Sequence, residues 1–278
     1  MDSRNIKEPT PQIEDGKHLE KIYDLQKELL DSYIKIEGLP SYPIDVNSKK
    51  SQIILKDFTG RVIEELGEGY ESMLKVFNKR LDYIKDMDNK ETFLYLYIKA
   101  EAQNLNEELA DALHFFMELL IYTNIHPEDI YQYCKTTAKN LGIPLYDCCC
   151  LSQMLTFSRN MVMGSEIDLP NKTLIRIAHE EDECIPVGWE TSEDFVRRCA
   201  IQLWDVTYSL SIARNCLKNK PWKQSGELTD ENLYQNLLCE SFVKLCGFYA
   251  LMGYTDKTLF AVYFKKNMVN KFRIASRY

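Results

Sequence analysis

The sequence predicts an all-α protein, a helical bundle with an internal duplication. Three observations support this. Apolar residues recur at helical spacing from about residue 17 onward, and no segment alternates convincingly as a β-strand would. Segments of the second half also match segments of the first half in the same order. Together the patterns indicate about ten helices, arranged as two related copies.

The helices can be assigned in chain order after a polar tail, residues 1–16, that contains Pro9 and Pro11. The first helix is "HLEKIYDLQKELLDSYIKI", whose apolar residues lie near one face: Leu19, Ile22, Tyr23, Leu25, Leu29, Leu30 and Tyr33. The second is expected from Asp57, the third over 92–103, and the fourth over "NEELADALHFFMELLIYTNI" (106–125). The fifth, "HPEDIYQYCKTTAKNL", has Pro127 in its first turn, where proline is favoured.

The duplication is visible when residues 57–72 are aligned without a gap on residues 194–209. Five residues of the first segment recur in the second, namely Asp57, Phe58, Arg61, Leu66 and Ser72 as Asp194, Phe195, Arg198, Leu203 and Ser209. In the next pair of segments, Glu108, Leu113 and Phe116 recur as Glu240, Leu245 and Phe248. The seam falls near 141–150, so the predicted copies are residues 17–144 and 145–278.

Composition narrows the class of function. The net charge of −8 argues against a surface for nucleic acid or anionic membrane, which requires clustered Lys and Arg. No apolar run approaches the ~20 residues of a membrane span, and the N-terminus lacks a secretory signal pattern. Nine cysteines, three of them adjacent at 148–150, make a poor disulfide framework. Reduced thiols and a cytoplasmic location are therefore expected.

Two acidic pairs lie on predicted apolar helices. Glu65 and Glu68 are three residues apart, as are Glu108 and Asp111, so each pair shares a helix face. If the two helices face each other, four carboxylates converge, and Glu64 could join them. Such oxygen ligands suit Mg²⁺ or Mn²⁺. A single acidic pair is more often a solvated charge, but two pairs on apolar helices favour a metal site.

The acidic motifs also carry a family resemblance. "EELGE" followed by "EELADALHFF" resembles the ExxE…ExxD signature of the all-α nucleoside triphosphate pyrophosphatases, the MazG-like superfamily. The match is closest to the dimeric dUTPases and the related phage dCTP pyrophosphatases, whose first-helix Leu-Gln motif resembles "DLQKEL". Near the C-terminus the chain is similar to the family's closing YxxKNxxNxxR element, here Tyr263, Lys266, Asn267, Asn270 and Arg273.

The resemblance implies a metal-dependent reaction of a deoxynucleoside triphosphate with water, giving the monophosphate and pyrophosphate. The implied substrate is dUTP, dCTP or both, and the implied cofactor is Mg²⁺, with Mn²⁺ as the alternative ion. The implied catalytic residues are Glu65, Glu68, Glu108 and Asp111, which with Glu64 also form the metal-ligand set. The implied substrate-binding residues are Gln26, which matches the base-contacting glutamine, and Lys266, Asn267, Asn270 and Arg273.

The two halves depart from the family pattern in different ways. The second half has Gln202 and Val243 where the first has Glu65 and Asp111, while the first half lacks the closing KNxxNxxR pattern. A fused pseudo-dimer with one composite site explains both losses, and it predicts that Lys266 faces the first-half acids. The chain would then be a monomer or a homodimer of such units.

Several alternatives stay open from the sequence. The chain could be a catalytically inactive nucleotide-binding or inhibitory relative, or a plain helical interaction protein. His114 is expected to have a structural role on its apolar helix. Gln26 could instead be a surface residue of an amphipathic helix, and Trp222 in "KPWKQ" could either stack on a base or pack against the protein.

Overall fold

The computed structural model describes residue 6 and residues 8–85, 92–143, 148–163, 193–219 and 226–276, with side chains at 80–98, 163, 193 and 194 left undescribed. Within these ranges the protein is all-α, with no strand. The described helices are α1 (His18–Glu37), α2 (Lys49–Lys85), α3 (Thr92–Tyr122), α4 (Pro127–Asn140), α5 (Leu151–Met163), α6 (Glu193–Cys216), α7 (Glu231–Leu251) and α8 (Asp256–Ala275).

Two predicted helix boundaries are wrong. Helix α2 begins at Lys49 rather than Asp57, because the preceding turns already bury Gln52 and Leu55. Asp57 therefore lies inside the helix, where it pairs with Arg61 one turn later. The predicted third and fourth helices form one continuous helix, α3. No glycine or proline interrupts residues 103–106, and the fully buried Leu105 continues the apolar face across them.

Two helical hairpins form the centre of the fold, and the helix that follows each hairpin packs against the other half of the chain. α2 packs along α3, and α6 packs along α7. The closing helix α8 packs against α1 and α3 of the first half, whereas α4 packs against α7 of the second half. One continuous hydrophobic core runs through both halves. The described cysteines, eight in number, are free thiols, and five of them are buried.

Helix length and composition show whether a described helix could cross a membrane. Among the helices that the structure describes, none is by itself long and apolar enough to cross a membrane. Only α7 and α8 taken together satisfy the test, and they are bent by 102° relative to each other. Both helices bury apolar side chains in the core of the protein.

Of the three glycines in α2, Gly69 lies closest to α3. A Cβ atom at Gly69 would lie 3.1 Å from Leu109 Cδ2 and 3.6 Å from Glu108 Cβ. At Gly60 on the same helix, a Cβ would meet nothing within 4 Å. The absence of a side chain at Gly69 therefore lets the α2 backbone come close to the start of the acidic segment of α3.

This contrast gives a matched pair of substitutions. Gly60→Ala should raise the free energy of unfolding by about 0.5–1 kcal/mol, because alanine loses less backbone entropy in a helix. Gly69→Ala should raise the free energy of unfolding by less than this, or lower it, because its methyl group presses on Leu109. Urea unfolding of both variants measures the difference, and an equal gain from the two substitutions would show that the α2–α3 contact tolerates a methyl group.

Candidate metal and nucleotide site

Three carboxylates converge between α2 and α3. One carboxylate oxygen from each of Glu65, Glu68 and Glu108 lies within 4.8 Å of the other two. Glu65 and Glu68 are one turn apart on α2, so they reach the same face, and the close packing of α2 on α3 brings Glu108 to meet them. Within the described part of the chain, no other group of three or more His, Cys, Asp or Glu side chains meets this geometric test for a metal site.

The three acids are electrostatically strained as a group. The pKa of Glu65 is raised to about 8, first by burial and then by the negative charges of Asp111, Glu108 and Glu68. The pKa of Glu108 is also raised, chiefly by burial, and the two carboxyl groups share a hydrogen bond. At neutral pH the protein alone therefore relieves this repulsion by holding a proton. A divalent cation bound by the same oxygens would relieve it instead, so the donor set fits Mg²⁺ or Mn²⁺.

Asp111 lies beside this trio but is paired with a cation from the other half of the chain. Lys266 Nζ on α8 is 2.6 Å from Asp111 Oδ2 and 3.8 Å from Glu107 Oε2. The pKa of Asp111 is nevertheless raised, because its burial outweighs the opposing effect of Lys266 and, more weakly, of Arg273. Arg273 is exposed on the same helix, two turns beyond Lys266. Helix α8 thus presents positive charge to the acids of α3.

Gln26 is fully buried, so the surface alternative for this residue is wrong. Its side-chain Nε2 donates a hydrogen bond of 2.9 Å to Glu118, and its Oε1 accepts one of 2.7 Å from the Tyr263 hydroxyl. These two bonds fix the orientation of the amide and connect α1 with α3 and α8. Whether Gln26 also contacts a nucleobase stays a prediction.

Glu118 is the residue of this region that the sequence analysis missed. It is buried, and burial raises its pKa to about 8, so the carboxyl group is largely protonated at neutral pH. A signal was present in the sequence: Glu118 is a lone acid in the apolar run "HFFMELL", seven residues after Asp111 and hence on the same face of α3. An acid embedded in such a run needs a partner, and Gln26 supplies it.

His114 is part of the core, as its position on an apolar helix indicated. Its ring stacks on Tyr263 with centroids 4.2 Å apart, and Nδ1 lies 2.7 Å from the Ala110 carbonyl oxygen. Burial lowers the pKa of His114 to about 3, so the ring is neutral and Nδ1–H donates to that carbonyl. Its Nε2 atom is buried without a hydrogen-bond partner in the protein.

Asn267 has a similar unpaired atom on α8. Its side chain is fully buried, and Nδ2 donates a long hydrogen bond of 3.4 Å to the Leu25 carbonyl. Its Oδ1, like His114 Nε2, has no partner in the protein. Buried polar atoms without partners are uncommon in folded proteins. Both atoms belong to residues that contact Tyr263, which places two unused acceptors next to the Gln26 network.

The remaining predicted residues lie outside the central contacts. The charge of Glu64 helps to raise the pKa of Arg61, but Glu64 is exposed and is not one of the three acids whose carboxylate oxygens converge. Its predicted role as a metal ligand is therefore not supported by the geometry. Asn270 is half-buried one turn after Lys266. Trp222 lies outside the described residues.

The corresponding positions of the second half are arranged differently. Gln202 is buried and donates a hydrogen bond of 2.7 Å to the Lys244 carbonyl. Glu240 forms an ion pair of 2.7 Å with Lys244, and Val243 is buried. Gln202 is neutral, Val243 is apolar and Glu240 is paired with Lys244, so the charge repulsion seen around Glu65 does not recur among these residues.

Comparison with known proteins does not assign a family. The chain matches no protein-family model, and no solved structure matches it. The interpretation of the site therefore depends on the motifs quoted above and on the contacts among these residues.

The protonated state of Glu118 gives a test by pH. The folded protein holds this proton up to about pH 8, whereas the unfolded chain releases it near the ordinary value of 4.5. The contribution of Glu118 to stability is therefore fully present below about pH 4.5 and is lost as the pH rises towards 8. Glu118→Gln keeps the acceptor for Gln26 without a titrating group, so it should be more stable than the wild type at pH 8.

The measurement is urea unfolding at several pH values between 5 and 8, with a chelator present so that stray cations do not bind the neighbouring acids. Glu118→Gln should have a shallower fall in stability across this range, while some slope persists from Glu65 and Glu108. If Glu118→Gln is less stable than the wild type at pH 8, the buried carboxyl group is charged and the assignment is wrong.

Proposed function

We propose that the protein is a metal-dependent deoxynucleoside triphosphate pyrophosphatase that converts a dNTP and water to the monophosphate and pyrophosphate. The observation that carries the proposal is the convergence of Glu65, Glu68 and Glu108 beside the Asp111–Lys266 pair. The motif resemblance to dimeric dUTPases and phage dCTP pyrophosphatases supports it and favours dUTP or dCTP as the substrate.

The residues that would hold Mg²⁺ are Glu65, Glu68 and Glu108, with Asp111 at the edge of the group. When bound, the cation supplies positive charge that neutralises the triphosphate and polarises its phosphoryl oxygens. A triphosphate carries several negative charges, so it cannot approach these carboxylates without such compensation. This charge balance supports a requirement for a divalent cation.

The side chains of α8 would bind the substrate from the opposite side. Lys266 and Arg273 carry the positive charge, and the planar guanidinium of Arg273 can bond two phosphate oxygens at once. Asn270 lies between them along the helix and can add a neutral hydrogen bond. Since Lys266 bonds Asp111 in the free protein, substrate binding would redistribute this lysine between the carboxylate and a phosphate oxygen.

Base recognition is assigned to the buried end of the same region. Gln26 has one N–H and one acceptor lone pair beyond its bonds to Glu118 and Tyr263. The unpartnered acceptors of His114 and Asn267 add to this set. A pyrimidine edge has donors and acceptors that suit such groups, which agrees with the preference for dUTP or dCTP.

An internal duplication with exchanged closing helices accounts for the packing. The α2–α3 hairpin corresponds to α6–α7, and the crossing of α8 onto α3 corresponds to the crossing of α4 onto α7. In this arrangement the first copy supplies the acids and the second copy supplies the basic closing helix. One complete site can then form within a single chain.

A second candidate function, nucleotide binding without turnover, is favoured by the ion pair between Lys266 and Asp111. Lys266 already neutralises Asp111 at 2.6 Å, so part of the negative charge is compensated without a metal. A protein with this arrangement could bind nucleotides and not turn them over. Catalysis and binding must therefore be measured separately.

The deciding experiment is a pyrophosphate-release assay over all four canonical dNTPs and dUTP, with Mg²⁺, Mn²⁺ or chelator, and with mass identification of the nucleotide product. The proposal expects monophosphate and pyrophosphate, strict dependence on the cation and a preference for dUTP or dCTP. Tight cation-dependent nucleotide binding without product would establish the inactive alternative. Absence of both binding and product would refute the two together.

The acids of the two halves provide a matched test. Glu68→Ala should lower kcat by at least ~100-fold, the scale of a major electrostatic contribution to a transition state. Asp205→Ala changes the corresponding residue of the second half and should leave kcat within a few-fold of the wild type. Glu68 is exposed, so its replacement should not unfold the protein. Equal activity of the two variants would contradict the assignment of the first-half acids.

The basic helix can be tested in the same way. Arg273→Ala should weaken kcat/KM by the equivalent of about 1.5–3 kcal/mol, the usual contribution of a charged hydrogen bond. Lys257→Ala, on the exposed first turn of α8, is the control and should have little effect. Mn²⁺ affinity measured by calorimetry without nucleotide should be nearly unchanged in both variants. A loss of Mn²⁺ binding in Arg273→Ala would mean that this residue organises the acids rather than the substrate.

A further inference from the structure

The ammonium group of Lys266 lies where two acids of α3 point. Its Nζ atom is 2.6 Å from Asp111 Oδ2 and 3.8 Å from Glu107 Oε2. The side chain of Lys266 is only 9% exposed, while those of Asp111 and Glu107 are 21% and 27% exposed. Water and salt screen charges in such a position much less than they screen charges at an open surface. The lysine of α8 is therefore a built-in counterion for α3.

Asp111 is separated from the other acids by this pairing. The family resemblance places it in one ligand set with Glu65, Glu68 and Glu108. It lies one turn beyond Glu108 on α3, on the same face of the helix. Only the other three acids, however, bring their oxygens within 4.8 Å of one another. The acid left out of the group is the one whose oxygen bonds Lys266.

We propose that Lys266 is a placeholder cation: in the free protein it blocks a second metal position at Asp111, and it leaves this position only when the triphosphate binds. The inference rests on the proposed function, because it takes Glu65, Glu68 and Glu108 as the first metal position. A divalent ion bound to Asp111 would lie close to the ammonium group, and like charges repel strongly at short distance in a partly buried site. The lysine and a second ion therefore exclude each other.

The triphosphate supplies the charge that would draw the lysine away. Asn270 and Arg273 lie on the same face of α8 as Lys266, so this face can receive several phosphate oxygens together. The flexible stem of a lysine lets its ammonium group move without a shift of the helix. Lys266 then bonds phosphate oxygens instead of the carboxylate, and Asp111 becomes available to a second divalent ion. Cation binding is thus ordered, with one ion before the nucleotide and one with it.

The second half offers a comparable lysine without the full set of acids. Lys244 forms an ion pair of 2.7 Å with Glu240. Two of the four acid positions of this half are Gln202 and Val243, so only Asp205 and Glu240 remain. The described residues of this half contain no group of three potential ligands that meets the geometric test for a metal site. Removal of this lysine should therefore create no new cation position.

The first test counts the Mn²⁺ ions bound by the full chain without nucleotide, by calorimetry and by the electron paramagnetic resonance signal of free Mn²⁺. The wild type should bind one ion. Lys266→Met keeps an unbranched apolar stem and removes the charge, so this variant should bind two. Lys244→Met is the control and should match the wild type. If circular dichroism shows that Lys266→Met is not folded, Lys266→Gln replaces it, because glutamine keeps a neutral hydrogen-bond donor for Asp111.

The second test uses α,β-imido-dUTP, in which the bond that the proposed reaction breaks is replaced by a stable one. The nucleotide itself holds some Mn²⁺, so the informative quantity is the difference between the two proteins. At saturating analogue the wild type and Lys266→Met should bind equal numbers of ions, because the lysine has then left Asp111 in the wild type. A difference of one ion that persists with the analogue would overturn the release of Lys266 by the triphosphate.

The outcomes distinguish this inference from the proposed function. Equal numbers of ions in the wild type and Lys266→Met without nucleotide overturn the placeholder role and leave a metal-dependent pyrophosphatase intact. A gain of one ion in Lys244→Met overturns it as well, since any freed carboxylate would then bind the metal. Absence of Mn²⁺ binding in both proteins refutes the metal site and both proposals with it. One ion in the wild type and two in Lys266→Met, in a protein that releases no pyrophosphate, would support the placeholder role and contradict the proposed function.

Discussion

The ion pair between Asp111 and Lys266 is the contact on which the arrangement of the site depends. It joins α3 to α8, two helices far apart in the chain, and both side chains are largely removed from solvent. Burying two charges is expensive, and the cost is recovered only when the partners meet with good geometry. The pair therefore favours one registration of α8 against α3. That registration also brings Tyr263 onto His114 and against Gln26.

The surrounding acids add an electrostatic cost, which the protein alone relieves only by holding a proton. Glu65 and Glu108 are held close enough to share a proton, and burial raises the pKa of both groups. A cluster chosen for stability alone would replace such residues with apolar side chains or with a satisfied hydrogen bond. The second half does this at the matching positions, where Gln202 bonds a carbonyl and Val243 is packed. Local conflict of this kind is characteristic of functional sites.

Much of the fold could be predicted from local patterns. The apolar face of α1 and the position of Pro127 at the start of α4 follow from residue spacing and backbone chemistry, and the structure confirms both. The extents of α2 and α3 could not be predicted, because a polar residue such as Asp57 suits a helix start and a helix interior alike. Tertiary burial of Gln52 and Leu105 decided those cases.

The site was less predictable in its buried part than at its charged rim. Acidic residues three apart define their own face, so the meeting of Glu65, Glu68 and Glu108 requires only that the two helices face each other. The burial of Gln26 and Glu118 depends on three helices arriving together, and no spacing within one helix encodes that. A lone acid in an apolar run indicates only that a partner exists, and it does not identify the partner.

If the two halves derive from one unit, as we propose, their divergence follows from physical constraints. A chain that contains both copies needs only one set of repelling acids, and each acid removed from the other copy relieves desolvation and repulsion there. Gly247 illustrates the result: a Cβ at this position would meet Gln202 Nε2 at 2.9 Å, so α7 and α6 close tightly around a neutral amide. The second half can thus become a well-packed support for the first. Its α6 surface is then free to differ from that of α2, because the acids that tie α2 to the proposed metal site no longer constrain it.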